Sequence, residues 1–129
     1  MTPIFISLDE ALLAHARMIE LFGGSAGLRD IGLLQSALAT SGQAFGGTYL
    51  HSFPHEMAAA YLFHVVKNHP FIDGNKRAGA TLARIFLLMN DCTFDPDEIE
   101  YGDLTLGVAA GEIDKPAVVA FFKQHVSPA

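Results

Sequence analysis

Cysteine occurs once in the 129 residues, at Cys92, so an internal disulfide framework is excluded and a reducing compartment fits. Charged side chains are scarce, at 17% of the chain, and a surface poor in charge suits a protein that meets a partner. No apolar run approaches the roughly 20 residues that span a bilayer, so no membrane association is expected. The start, MTPIFISLDE, has no basic region and meets an acidic pair at once, unlike a secretory signal. A soluble cytoplasmic protein is the expectation. The net charge of −6 argues against direct nucleic-acid binding.

Half of the residues are apolar, the composition of an ordered globular protein, and the length fits one domain over residues 1–129. The charges are unevenly spread. Four of the eight basic residues (Lys67, Lys76, Arg77, Arg84) lie between positions 67 and 84, whereas eight of the fourteen acidic residues lie between Asp91 and Asp114. A local basic cluster on an acidic chain points to a small anionic ligand rather than to a duplex.

Helical periodicity dominates. Ser7 reads as the N-cap of LDEALLAHARMIELF, with Asp9 and Glu10 suited to the dipole of its first turn and Gly23-Gly24 as its end. Asp30 caps IGLLQSALAT, which Gly42 is expected to end. Residues 43–53, rich in glycine and aromatics, read as a loop with room for a short hairpin. Pro54 suits the first turn of HEMAAAYLFHVVKN, a segment apolar nearly all round and therefore central. His69-Pro70 breaks it. A second apolar helix follows from Asn75, with Ala78, Gly79, Ala80 and Ala83 small enough to let a neighbouring helix close in. Two more helices are expected, one over about 97–111 and one beginning at Asp114 and Pro116. Strand signals are weak, so the fold class is all-α: a compact bundle of about six helices, with a short β-hairpin flap the one β element allowed for.

Between the two most apolar helices lies HPFIDGNKR, residues 69–77. A structural connection needs only a turn, yet this one gathers an imidazole, a carboxylate, an amide, an ammonium and a guanidinium. Asn75 and Lys76 begin a helix, where free N–H groups and the dipole favour an anion. Gly74 permits close approach of the backbone, and Lys76 and Arg77 add positive charge, so these four residues make a phosphate cradle. Asp73 can hold a magnesium ion, which takes one or two carboxylates together with phosphate oxygens. His69 can remove a proton from an attacking hydroxyl. Phe71 would pin the loop into the core. Each residue alone has a structural reading: Asn75 as an N-cap, Asp73 as a turn residue, His69 as a helix C-cap. Their concentration in this order is what favours chemistry. His51, His55, His64 and His69 with Asp73 also invite a transition-metal reading, but no HExxH or paired His-Asp pattern is present.

HPFIDGNKR resembles the signature loop of the Fic/Doc family, roughly His-x-Phe-x-Asp/Glu-Gly/Ala-Asn-Gly/Lys-Arg. The segments GLRDIGLLQSAL and AAAYLFHVVKNHPF, together with the short chain, resemble its Doc (death-on-curing) branch. The resemblance implies a general base at His69, a magnesium-binding acid at Asp73 and phosphate-holding residues at Asn75 and Arg77, with ATP and magnesium as cofactors. Adenylyl-transferring members carry glycine where this chain has Lys76, and an arginine where it has Ala80. Lysine in the loop resembles the Doc toxins, which are implied to bind ATP the other way round and to transfer its γ-phosphoryl group. The implied function is that of a type II toxin: a protein Ser/Thr kinase that inactivates a translation factor of the elongation factor Tu class and is neutralised by a small antitoxin. The alternatives are an adenylyltransferase on the same fold and a non-catalytic nucleotide-binding regulator. Arg29 is implied to lie near the mouth of the site, although a solvated arginine beside an N-cap reads equally well. Residues 43–53 are a candidate flap for a target peptide.

Overall fold

A computed structural model describes residues 2–128. Six helices form: α1 (Leu8–Phe22), α2 (Ile31–Thr40), α3 (His55–Asn68), α4 (Asn75–Met89), α5 (Glu98–Ala109) and α6 (Lys115–His125). Two antiparallel strand pairs accompany them, β1 (Ala44–Phe45) with β2 (Thr48–Tyr49), and β3 (Thr93–Phe94) with β4 (Val126–Ser127). The all-α expectation and the short hairpin within residues 43–53 both hold. No helix among the described residues is long and apolar enough to cross a membrane.

The helix starts follow local chemistry. The Ser7 hydroxyl accepts from the Glu10 N–H while the Glu10 carboxylate accepts from the Ser7 N–H, a capping box. Asp30, Asp97 and Asp114 cap α2, α5 and α6 in the simpler way, each accepting from the N–H three residues on. Several boundaries differ from expectation. α2 covers Ile31–Thr40 as expected, but its C-cap is Ser41 rather than Gly42, and the Ser41 hydroxyl turns inward to donate to the Met57 carbonyl at 2.8 Å. Pro54 stands before α3 rather than in its first turn. α5 ends at Ala109, two residues early, and Gly111 then takes a φ of +76°. Val126 leaves α6 to pair with Phe94, a strand contact with no periodic signal in so short a segment.

α3 is the central helix. Met57 through Leu62, Val65 and Val66 are all buried, and α2, α4, α5 and α6 pack around it. Burying each large aliphatic or aromatic side chain contributes about 1.5–3 kcal/mol, so this one helix anchors much of the core. α3 and α4 pack tightly at Gly79. A Cβ there would lie 2.7 Å from Val66 Cγ2 and 3.0 Å from the Leu62 carbonyl oxygen. The small-residue face of α4 therefore sets the distance between the two helices that flank the loop.

Candidate active site

The loop 69–74 is held by a second segment running alongside it. Arg29 and Asp30 both donate backbone N–H groups to the Pro70 carbonyl, at 2.7 and 3.0 Å. Leu28 bridges Phe71, and the Ile72 N–H donates to the Gly27 carbonyl at 3.0 Å. Ser25 N–H then donates to Asp73 Oδ2 at 3.0 Å. Residues 25–30 thus act as an antiparallel template for 69–73. The Arg29 side chain extends the pairing by donating to the carbonyls of Asn68 and His69. These are terminal carbonyls of α3, which have no intrahelical partner. Arg29 is neither free nor merely solvated: it closes the helix that ends at the proposed base.

His69 sits beyond α3 in the left-handed region, φ 51°, with its side chain exposed and facing the cavity described below. Phe71 is fully buried, as expected, and stacks on His15 at 3.8 Å between ring centroids with 4° between the planes. His15 Nε2 lies 2.8 Å from the Asp73 carbonyl oxygen, and since a carbonyl only accepts, that nitrogen carries the proton. His15 was not legible as part of the site.

Asp73 is exposed, and its two oxygens accept from the N–H groups of Ser25 and Gly74. Those bonds, the Ser25 one first, hold the carboxyl below its usual range, so it stays ionised into acid. Each oxygen retains a free lone pair. Gly24 makes the arrangement possible: a Cβ on it would stand 2.7 Å from Asp73 Oδ2.

The cradle residues divide into two kinds. Gly74 takes φ 78° and precedes α4, whose first helical bond runs from the Ala78 N–H to the Gly74 carbonyl. The N–H groups of Asn75, Lys76 and Arg77 therefore meet no protein acceptor among the described residues. The Lys76 and Arg77 side chains are exposed, and the Arg77 guanidinium lies over the Phe22 ring at 4.2 Å. Asn75 differs. Its side chain is buried and clasps Phe71, accepting from its N–H and donating to its carbonyl, both at 2.9 Å. As it stands, Asn75 offers an anion its backbone N–H, and its amide is engaged in shaping the loop.

These residues line one end of a cavity of about 890 Å³. The other end is built by α4 and α5. There Arg84 Nη2 donates to both carboxylate oxygens of Glu98, at 2.6 and 2.7 Å, and its guanidinium lies 4.8 Å from the Tyr101 ring centroid. Sequence reading missed this end, though Arg84 follows Arg77 by seven residues, two turns of one helix face. His51 and His64, by contrast, stand away from the cavity, and both face Lys115. Among the described residues no group of three or more His, Cys, Asp or Glu is placed to hold a metal ion, against the transition-metal reading.

The Fic/DOC family profile matches residues 5–87. The protein named "Protein kinase doc" from Escherichia phage P1 is 32% identical over 114 residues, which cover 88% of each chain. "Toxin Doc" of Mycolicibacterium smegmatis (strain ATCC 700084 / mc(2)155) is 35% identical over 103 residues, 77% of this chain and 78% of that protein. The chain belongs to the Fic/DOC family.

Proposed function

We propose that the chain is the toxin of a toxin–antitoxin pair, a cytoplasmic kinase that transfers the γ-phosphoryl group of ATP to a Ser or Thr hydroxyl of a translation factor of the elongation factor Tu class. The observation that carries the reading is the single cavity that collects an exposed imidazole, an ionised carboxylate, three unpaired N–H groups and two cations within nine residues. The likeness to proteins named as a Doc kinase and a Doc toxin supports the choice of reaction and role. Lys76 and Ala80, in place of the glycine and arginine of adenylyl-transferring members, favour phosphoryl over nucleotidyl transfer.

The chemistry divides among the residues. His69 takes the proton of the attacking hydroxyl as its oxygen bonds to the γ-phosphorus and the bond to the β-phosphate bridge breaks, releasing ADP. The α4 N-terminus with Lys76 and Arg77 neutralises charge that builds on the phosphate oxygens. Asp73 fits magnesium: its donors are hard oxygens, it remains anionic, and each oxygen keeps a lone pair. Magnesium held there would supply positive charge to offset that of the phosphate oxygens. The β1–β2 hairpin, with Phe45 82% exposed at its tip, is the candidate flap for the target peptide. Exposed Phe22, under the Arg77 guanidinium, and Ile72 within the loop offer an apolar rim for a small antitoxin.

Incubating the protein with cell extract and ATP labelled at either the α- or the γ-phosphorus tests the reading. Protein-bound label from γ alone is expected, and label from α alone makes the chain an adenylyltransferase. Expression should arrest growth, and His69→Ala should relieve the arrest. A His69→Ala variant as toxic as the parent removes the general-base assignment and leaves a nucleotide-binding regulator.

A further inference from the structure

The cavity has a second polar feature at the end remote from the loop. Arg84 lies seven residues after Arg77 on the same face of α4, about 10 Å along the helix axis. It donates to both oxygens of Glu98, the first residue of α5. The arginine is fixed from behind by the rings of Phe94 (5.2 Å) and Tyr101 (4.8 Å). Tyr101 in turn donates its hydroxyl to the Ala80 carbonyl at 2.7 Å, tying α5 to α4 along the cavity floor. The Glu98 side chain is 73% exposed, against 36% for Arg84. The carboxylate is thus oriented from one side and open on the other.

An ionised carboxylate only accepts hydrogen bonds, so its open side selects donors. The ion pair also cancels the charge of Arg84, and this end of the cavity does not compete with the loop for phosphate. A triphosphate is therefore drawn to the loop end, and what reaches Glu98 is the uncharged part of the molecule. Beside Glu98, Gly102 has nothing within 4 Å of where a Cβ would stand, and Leu106 is 55% exposed, leaving open space flanked by an apolar surface. A vicinal diol next to a flat ring matches this pair of features. Two adjacent hydroxyls present two donors to one carboxylate, whereas the amino group of adenine presents its donor beside a ring acceptor that a carboxylate repels.

We infer that Glu98, held by Arg84, receives the ribose diol of the nucleotide and makes the site selective for ribonucleotides. The inference rests on the nucleotide-handling reading above. Within that reading, the loop supplies affinity for the phosphates and Glu98 supplies the choice of sugar.

Calorimetric binding to the full chain, with magnesium present, tests it using three probes: ATP, 2′-deoxy-ATP and inorganic tripolyphosphate. The parent protein is expected to bind ATP about tenfold more tightly than 2′-deoxy-ATP, the scale of one hydrogen bond to a charged group. Glu98→Ala should weaken ATP to the level of 2′-deoxy-ATP without weakening tripolyphosphate, since the loop cradle is intact and Arg84 is uncovered rather than lost. Glu98→Gln, of nearly the same shape, should lose most of the preference. Equal binding of ATP and 2′-deoxy-ATP by the parent overturns the inference, and so does a preference that survives in both variants. Tripolyphosphate binding alongside either result leaves the phosphate cradle standing and the Glu98 role rejected. If neither ATP nor tripolyphosphate binds, the nucleotide reading falls and Glu98 with it.

Discussion

The Arg29 guanidinium donates to the carbonyl oxygen of His69 at 2.7 Å and to that of Asn68 at 2.9 Å, so the residue preceding the cap of α2 closes the C-terminus of α3. His69 stands at the point where α3 gives way to the loop, with a left-handed backbone. The side chain proposed as base is therefore aimed by a residue forty positions earlier.

Arg29→Ala should cost about 1–3 kcal/mol of stability in urea unfolding, from two charge-assisted bonds on an exposed residue. It should also lower phosphoryl transfer more than it lowers ATP affinity, because His69 shifts while the α4 cradle does not. Arg29→Lys keeps a cation near the helix terminus but lacks the planar fork, and an intermediate loss is expected. Transfer that falls only in proportion to the unfolded fraction would reduce Arg29 to a structural tie.

Gly24→Ala addresses the carboxylate. At φ +113°, Gly24 is in the region that favours glycine, and its missing Cβ leaves room for Asp73 Oδ2. The added methyl should push that carboxylate out of place and weaken its bond from Ser25. Calorimetry with and without magnesium separates the effects. ATP binding with magnesium is expected to drop by about tenfold, and binding without magnesium to change little. An equal drop in both conditions would mean that the loop as a whole had moved.

Much of this was legible from residues whose signals are local. The caps at Ser7, Asp30, Asp97 and Asp114 act within four positions, and α1, α3 and α4 show unbroken helical patterning, so their placement followed. The loop HPFIDGNKR was legible because its chemistry is contiguous. What stayed hidden depends on distant pairing. The template segment 25–30 has Leu28 as its one large apolar residue, too little for a strand pattern, the His15–Asp73 contact joins positions 58 apart, and β3 pairs with β4 across the domain. Arg84–Glu98 crosses two helices whose register no single-helix pattern reveals.

Asn75 gives a third test, because its amide is engaged with Phe71 on both sides. Asn75→Ala leaves a buried N–H and a buried carbonyl unpaired, and unfolding should show a loss of about 2–4 kcal/mol. Asn75→Asp keeps the acceptor and loses the donor, so its loss should be smaller in the range where the fold is otherwise stable. If Asn75→Ala keeps full stability yet loses ATP binding, the amide is a phosphate ligand rather than a loop clasp.

The final test lies away from the cavity, at Lys115. Its ammonium donates to Nε2 of His51 at 2.8 Å and of His64 at 2.9 Å, joining the first residue of α6 to the stem of the hairpin and to the middle of α3. Both imidazoles must be neutral to accept. Burial, with Lys115 adding to it, pushes His64 from 6.5 down to about 4, and the same causes lower His51. Glu56, beside His55 and His51, opposes the shift of His51 in part. Between pH 6.5 and 4 the unfolded chain holds more protons than the folded one, so stability rises with pH through that window and is complete above it. The shift at His64 would be worth about 3 kcal/mol undiscounted, and solvent screening of a half-exposed group brings this to about 1 kcal/mol. The lowered carboxyls of Glu10, Glu56 and Asp73 act only below about pH 4.5, the ordinary carboxylate range, which leaves the upper part of the window to the histidines. Urea unfolding at pH 7.5 and at pH 5 should show the parent losing stability on acidification. His64→Asn should flatten most of that difference, and Lys115→Met should reduce it by removing the neighbouring charge. A parent whose stability is the same at both pH values would mean that the ammonium does not hold these imidazoles neutral.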